Sequence, residues 1–384
     1  MRNICLLECE FLEHTAYLDN SSTTKPCKKS VDCITRALEE IWGNPSSLHS
    51  IGIEAEIAMN TARETVADFI SARTDEIIFT GSGTEANNTA LLSVVKKSNI
   101  GGRIITTAIE HPSVLETVKR AESAGLEVVR LKPDKNGVIS LQALEQAING
   151  KTVLVSIMLV NNETGAIQPV SNAAEILKKN CPTALFHCDA VQAFGKMPIN
   201  VKKLGVDLMS VSGHKIHGPK GIGFLYCRKG VNIPPFITGG GQERGMRSGT
   251  ESVPLIMGLA GAVEELPDIS EQLKKQRDLQ NYTAELLKRK VGIHINSPKD
   301  NLPYILNISL SGYRSEILLH FLEQRGVYVS SGSACAKGHG SYVLTESGLD
   351  KKLTDSALRI SFSRYNNKED ADLLCDALCD AKVR

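Results

Sequence analysis

The sequence carries almost no net charge: 44 basic residues stand against 43 acidic ones, a formal balance of +1. No broad field therefore draws in nucleic acid or an anionic membrane, and direct nucleic-acid binding is not expected. Long apolar runs are missing too. Each is broken early by glycine or charge, so no stretch reads as a membrane span. Residues Met1 to Glu13 contain acidic side chains and lack the basic start, apolar middle and small-residue cleavage site of a secretion signal. The expected location is the cytoplasm. The ten cysteines form no CxxC pair, which argues for reduced thiols rather than a disulfide framework. Cys5 and Cys9, like Cys375 and Cys379, are spaced i, i+4, but no further His or Cys stands nearby at zinc-ligand spacing. Packing is the expected role of both pairs, and no metal is indicated. Internal repeats and low-complexity tracts are also absent.

What is present points to an ordinary globular chain, with 42% hydrophobic and 23% charged residues among 384. That length suits one large domain and a smaller one. From about Asp75 to Tyr226, short β-branched runs alternate with amphipathic stretches, the rhythm of parallel strands with crossover helices. Strands are expected at Glu76–Thr80, Arg103–Thr107, Glu127–Leu131, Thr152–Met158, Ala184–Cys188, Leu208–Val211 and Gly223–Cys227. Helices are expected at Glu85–Lys97, Ser113–Ala124, Leu141–Ile148 and Ser171–Asn180, with Ser113 and Ser171 as N-caps. Beyond a glycine-rich stretch at Gly239–Gly245 the texture changes. A long helical region runs to about Lys290, followed by a strand at Tyr304–Leu310, a helix at Ser315–Arg325, a strand at Val327–Ser330 and a terminal helix from Lys368. The fold class read from this is α/β, with residues 16–260 forming a large domain on a mostly parallel sheet. Residues 261–384, joined by 1–15, form a smaller α+β domain.

Five segments fall at strand C-termini of the large sheet, where open α/β folds bind ligands. Gly81-Ser82-Gly83-Thr84 links a strand to a helix, and backbone N–H groups there could approach a phosphate, with Ser82 or Thr84 adding a hydroxyl. The alternative is a turn of small residues kept for steric reasons. Lys215 ends Ser210-Val211-Ser212-Gly213-His214-Lys215. A lysine at an apolar strand end has the depressed basicity that imine chemistry needs, unless it simply reaches solvent. Asp189 closes another strand and suits either a protonated pyridine nitrogen or a helix cap. Cys188 should face the other way, into the core. His111, in Glu110-His111-Pro112, could stack on a ring or shuttle protons. Asn162, in Asn161-Asn162-Glu163, could bond a phenolic oxygen.

Together with Tyr17-Leu18-Asp19-Asn20-Ser21-Ser22-Thr23-Thr24, Gly43-Asn44-Pro45-Ser46-Ser47, Gly83-Thr84-Glu85, Asp189-Ala190-Val191-Gln192, Arg247-Ser248-Gly249-Thr250 and Ser330-Ser331-Gly332-Ser333-Ala334-Cys335, these motifs, in this order, resemble the cysteine desulfurases of the NifS/IscS type. The resemblance implies a fold type I transferase that binds pyridoxal 5'-phosphate and works as a homodimer. It implies that Lys215 holds the cofactor, His111 stacks on its ring, Asp189 pairs with the ring nitrogen, and Gln192 contacts the phenolic oxygen with Asn162 beside it. Gly83, Thr84, Ser212 and His214 would hold the phosphate, joined by Thr250 of the other subunit. Arg359 would clamp the substrate carboxylate, a bidentate task suited to a planar guanidinium, with Asn44 and Asn162 also on the substrate.

Cys335 lies among small residues, with Lys337 and His339 close enough in sequence to favour a thiolate. The implied reaction takes L-cysteine to L-alanine and leaves a persulfide on Cys335. An acceptor protein then takes the sulfur, such as an iron–sulfur scaffold or a tRNA-thiolation enzyme. The segment between Cys335 and Ser341 is shorter than in the housekeeping members, which bears on its reach to acceptors. Competing readings are a selenocysteine or cysteine-sulfinate lyase, an aminotransferase, and a non-catalytic sulfur-assembly scaffold.

Overall fold

A computed structural model of the chain describes residues 15–98, 100–332 and 340–383. Cys335, Lys337, His339 and the Cys5–Cys9 pair lie outside the described residues. Strand β1 (Ala16–Tyr17) leads into helices α1 (Lys28–Glu39) and α2 (Ser50–Phe69). The central sheet follows as β2 (Ile77–Thr80), β3 (Arg103–Thr107), β4 (Glu127–Leu131), β5 (Thr152–Ser156), β6 (Leu185–Asp189), β7 (Leu208–Ser212) and β8 (Gly223–Cys227). Helices α3 (Gly83–Lys97), α4 (Pro112–Ser123), α5 (Leu141–Ala147), α6 (Val170–Asn180) and the short α7 (Val201–Leu204) connect these strands. Then come α8 (Val253–Glu264), α9 (Ile269–Lys290), β9 (His294–Ile295), β10 (Ile305–Ser309), α10 (Ser315–Glu323) and β11 (Val327–Tyr328). The chain ends in α11 (Tyr342–Glu346), α12 (Lys351–Asp355), β12 (Ala357–Ser361) and α13 (Lys368–Val383).

The central sheet has the order β2-β8-β7-β6-β5-β3-β4. Only β8 runs against its neighbours, so the other six strands end at one edge. Both faces are covered, which is why β5 to β8 read as near-continuous apolar runs. Met209, Val211 and Phe224 face one core with Val155 and Phe186, while Leu208, Leu154 and Leu225 face another beneath α3 and α4. A separate core gathers Ala16, Leu18, Leu287, Leu358, Leu374 and Cys375 around the antiparallel sheet β12-β10-β9. Cys375 thus takes the packing role expected of it, with Cys379 against the same core, and Cys188 is buried as anticipated.

Local expectations needed three corrections. The long helical region expected up to about Lys290 resolves into two helices, α8 and α9, because Pro267 disfavours a helical conformation before it. Ser113 is not an N-cap: Pro112, suited to a first helical position, starts α4 earlier, and the His111 side chain accepts from Ser113 N instead. Nor is Ser171, since α6 begins at Val170 and the Ser171 hydroxyl donates to the Lys203 carbonyl.

One buried ion pair fastens the glycine-rich stretch to the sheet. Both terminal nitrogens of Arg63 donate to Glu243 at 2.8 Å, and Glu243 also accepts from Phe79 N at 2.9 Å. Removing one member of such a pair strands the other without water. Arg63→Ala should cost about 3–5 kcal/mol, read as a lower urea midpoint.

Candidate active site

A cavity of about 320 Å³ opens at the edge where the six strands end. Helix α3 points its first turn into it, and that turn is seated unusually close to the sheet. A methyl group on Gly83 would meet Val191 Cγ2 at 2.7 Å and Ser212 Cβ at 3.2 Å, so glycine alone permits this approach. Ser82 caps the helix by accepting from Glu85 N, leaving the amides of Gly83 and Thr84 at the positive end. Glu85 holds the turn from behind: it accepts from Gly81 N at 2.8 Å and pairs with Arg247 at 2.9 Å. Ser212 and His214 complete this wall. Burial pushes the His214 imidazole down to about 3, with Lys215, Lys220 and Lys196 adding to the effect, so the ring is neutral.

The opposite wall is a hydrogen-bonded relay. Asp189 accepts from Asn87 Nδ2 at 2.7 Å and from Val191 N at 3.0 Å. The same Asn87 amide donates to Ser113 Oγ at 2.9 Å, and that hydroxyl lies 2.7 Å from His111 Nδ1. Ser113 N also donates to His111 Nδ1 at 3.1 Å, so Nδ1 is the acceptor and the neutral ring carries its proton on Nε2. Burial lowers the His111 basicity, Asp189 raises it and Lys215 lowers it again.

Lys215 follows β7 in a short 3₁₀ turn, and its Nζ donates to the carbonyls of Ser21 at 2.6 Å and Ser22 at 2.5 Å. Arg359 comes from β12, a strand not anticipated in the sequence. Its guanidinium donates to Asp19 Oδ1 at 2.8 Å and to the Asn162 carbonyl at 3.1 Å, while Nε is buried without a partner. The backbone of Arg359 pairs with Ser330, at the start of the segment that carries Cys335.

Beneath His111, Glu110 is fully buried. Its Oε1 accepts from Thr107 Oγ1 at 2.8 Å and Met158 N at 2.9 Å, while Oε2 has no partner. Burial pushes the Glu110 carboxyl up to about 8; the two hydrogen bonds oppose this and Asp189 adds to it. The folded protein therefore keeps this proton above about 4.5, where the unfolded chain releases it. The stabilisation is full at acid pH and is lost as pH rises from about 4.5 to about 8. Glu110→Gln cannot lose that proton. Relative to it, the parent protein should lose stability across this window, as followed by urea midpoints.

The structure brings together Gly83, Thr84, His111, Asn162, Asp189, Gln192, Ser212, His214, Lys215 and Arg359 around one cavity. It leaves Asn44 and Thr250 exposed and outside that lining. Asn87, Ser113 and Asp19 were not anticipated as functional. Asp19 stood in a quoted motif, but its pairing with a residue 340 positions away has no sequence signal.

The lining also fits pyridoxal phosphate. Asn162 Oδ1, Asn87 Oδ1 and Ser21 Oγ are buried there without hydrogen-bond partners, a deficit that a polar ligand would relieve. A helix start and a neutral imidazole suit the phosphate, and the carboxylate of Asp189 suits a ring nitrogen.

Residues 16–374 match the model of the aminotransferase class-V family. The cysteine desulfurase IscS of Methanosarcina thermophila is 42% identical, across 94% of this chain and 90% of that protein. Among solved structures, a NifS-like protein superposes with a TM-score of 0.92 at 40% identity, covering 96% of this chain and all of that one. A structure described as SspA in complex with cysteine gives 0.82 at 34% identity, over 92% of this chain and all of that one. The family match, the sequence identity and the shared fold show that the chain belongs to the NifS/IscS-type cysteine desulfurases of the aminotransferase class-V family.

Proposed function

We propose that this chain acts as a homodimer that takes sulfur from L-cysteine, releases L-alanine, and carries the sulfur as a persulfide on Cys335 to an acceptor protein. The observation that carries the reading is the convergence of Lys215, Asp189, His111 and Arg359 on one cavity. Pyridoxal phosphate, when bound, supplies an electron sink for the charge that develops at the substrate α-carbon. Thr84, Ser212 and His214, with the Gly83 amide, hold its phosphate, Asp189 its ring nitrogen, and Gln192 and Asn162 its phenolic oxygen. Lys215 would anchor it, and the Lys215 amine would serve as the base for the α-proton. Arg359 binds the substrate carboxylate, its plane set by Asp19 and the Asn162 carbonyl. His111, with its proton on Nε2, serves as the acid–base partner of the substrate thiol. The Cys335 thiolate attacks the substrate sulfur; the carbon–sulfur bond breaks, its electron pair stays with the β-carbon, that carbon takes a proton, and Lys215 returns one to the α-carbon to give alanine.

Cysteine is favoured over selenocysteine or cysteine sulfinate because the named relatives are cysteine desulfurases and SspA was solved with cysteine. Seven free thiols among the described residues suit the cytoplasm. No helix of the described part is long and apolar enough to cross a membrane. A persulfide must be discharged, and an iron–sulfur scaffold or a tRNA-thiolation enzyme would take its sulfur.

Dimerisation is supported by an apolar surface on α1, α2 and their connection. Leu38, Trp42, Leu48, Ile53 and Ile57 are all exposed, Leu48 at 95%. The exposure of Thr250 suits a residue given to the other subunit's phosphate site. Trp42→Glu should shift the protein toward monomer in sedimentation velocity and weaken cofactor retention.

The direct test of the activity is product formation from L-cysteine by cofactor-loaded protein with a thiol reductant. Equal amounts of alanine and sulfide are expected. Bound cofactor with neither product, or amino transfer that depends on a keto acid, would overturn the reading.

A further inference from the structure

Seven residues after Asp189, the chain buries a second lysine that the proposed reaction does not use. Lys196 is 5% exposed and has no carboxylate partner among the described residues. Its Nζ donates to Gln192 Oε1 at 3.2 Å and lies 5.8 Å from the Tyr304 ring centroid. The charged and titratable groups around it are Lys215, Arg359, Arg364, His214, His217 and Tyr304. Glu265 also belongs to this cluster, bonded to Arg364 and acting on His217; burial, then Lys215 and Arg359, push the Lys196 amine down to about 7. Placing an amine there is costly, and an apolar side chain would fill the space with less penalty. Core filling alone does not account for the residue.

The geometry supplies a reason. Gln192 lines the cavity, and its amide is fixed from both sides. Its Oε1 accepts from Lys196, and its Nε2 donates at 3.0 Å to the Ser21 carbonyl, the same oxygen that accepts from Lys215. An ammonium only donates and a carbonyl only accepts, so the amide has one orientation. Without Lys196 only the Ser21 carbonyl would hold the amide, and its oxygen could turn toward the cavity more easily. We propose that Lys196 is a positioning residue that holds the Gln192 amide with its N–H side toward the cofactor's phenolic oxygen. This rests on the cofactor reading given above.

An N–H directed at that oxygen, and a cation behind it, favour the less protonated form of the cofactor bound to Lys215. The pH midpoint of the bound cofactor's visible absorption band reports this balance. In Lys196→Met the band should persist while its midpoint rises by about one pH unit. The kcat/KM for alanine formation should fall about tenfold. Replacing a buried amine by an apolar chain of similar length should leave the fold at least as stable, and Lys196→Leu is a second variant if Met packs poorly. The decisive readout is a double-mutant cycle with Gln192→Leu. If Lys196 acts through Gln192, adding Lys196→Met to Gln192→Leu moves the midpoint little further. An unchanged midpoint in Lys196→Met, or an equal shift in both backgrounds, would overturn the inference while leaving the cofactor reading intact. Absence of any lysine-dependent visible band in the parent protein would overturn the cofactor reading itself.

Discussion

Lys215→Ala protein is expected to show no covalently held cofactor and to form alanine at least about 10³-fold more slowly than the parent. Two roles end in one atom, the Nζ that donates to the Ser21 and Ser22 carbonyls at the cavity wall. One is attachment of the cofactor, the other abstraction of the substrate α-proton. Losing the first removes the visible band, and losing the second removes turnover even where cofactor is retained through its phosphate. Adding a small primary amine separates them, because it can restore part of the proton transfer without restoring attachment. No other lysine should substitute: Lys196 is tied to Gln192, and Lys220 is exposed. A variant that keeps both its band and its rate would show that Lys215 is not the attachment site.

Cys335→Ser should divide the reaction at a different point. None of the residues assigned to the cofactor or to the substrate carboxylate is changed, so the band and L-cysteine binding should persist. Alanine formation and enzyme persulfide should both fall by about 10³-fold or more, since a serine hydroxyl is a poor acceptor of sulfur. Alkylation followed by mass measurement of the intact chain reads the persulfide directly. The structure ties both flanks of this segment to the cavity. Ser330 pairs through its backbone with Arg359, the Ser341 hydroxyl donates to the buried Glu163, and the Tyr342 hydroxyl donates to the Glu110 carbonyl at 2.6 Å. Arg359 and His111, proposed above for the substrate carboxylate and for acid–base work, therefore share supports with the segment that carries Cys335. Alanine formation at the parent rate by Cys335→Ser would remove Cys335 from the mechanism.

Much of this arrangement was legible before any tertiary contact was known. Strand runs such as Arg103–Thr107 and Gly223–Cys227 appear in the structure with the bounds read from their β-branched and aromatic content. Alternation with helical periods implied crossover connections, and those connections put Lys215, Asp189, His111, Asn162 and the Gly83 turn at one sheet edge. Local rules failed where a neighbour outweighed them. Pro112 moved a helix start that Ser113 was expected to cap, and Pro267 divided a helical region whose composition showed no other break. Strand β12 was missed because its Arg359 reads as surface. Only Asp19 and the Asn162 carbonyl, distant in sequence, make its burial tolerable.

Residue types and their order were enough to show the family resemblance and the chemistry that it implies. A lysine at a strand end, an acid at the next, a glycine turn before a helix and a cysteine among small residues are constraints that act within a few positions, so they leave a local trace. The protonation of Glu110 was decided by the tertiary structure alone, and the tautomer of His111 and the orientation of Gln192 became visible only in the folded chain. Burial keeps the Glu110 proton against the pull of the Met158 amide, while the His111 tautomer and the Gln192 orientation use donors two and four residues away, from Ser113 and Lys196. Burial strengthens such contacts and raises the cost of leaving them unmade, and burial is a property of the folded whole.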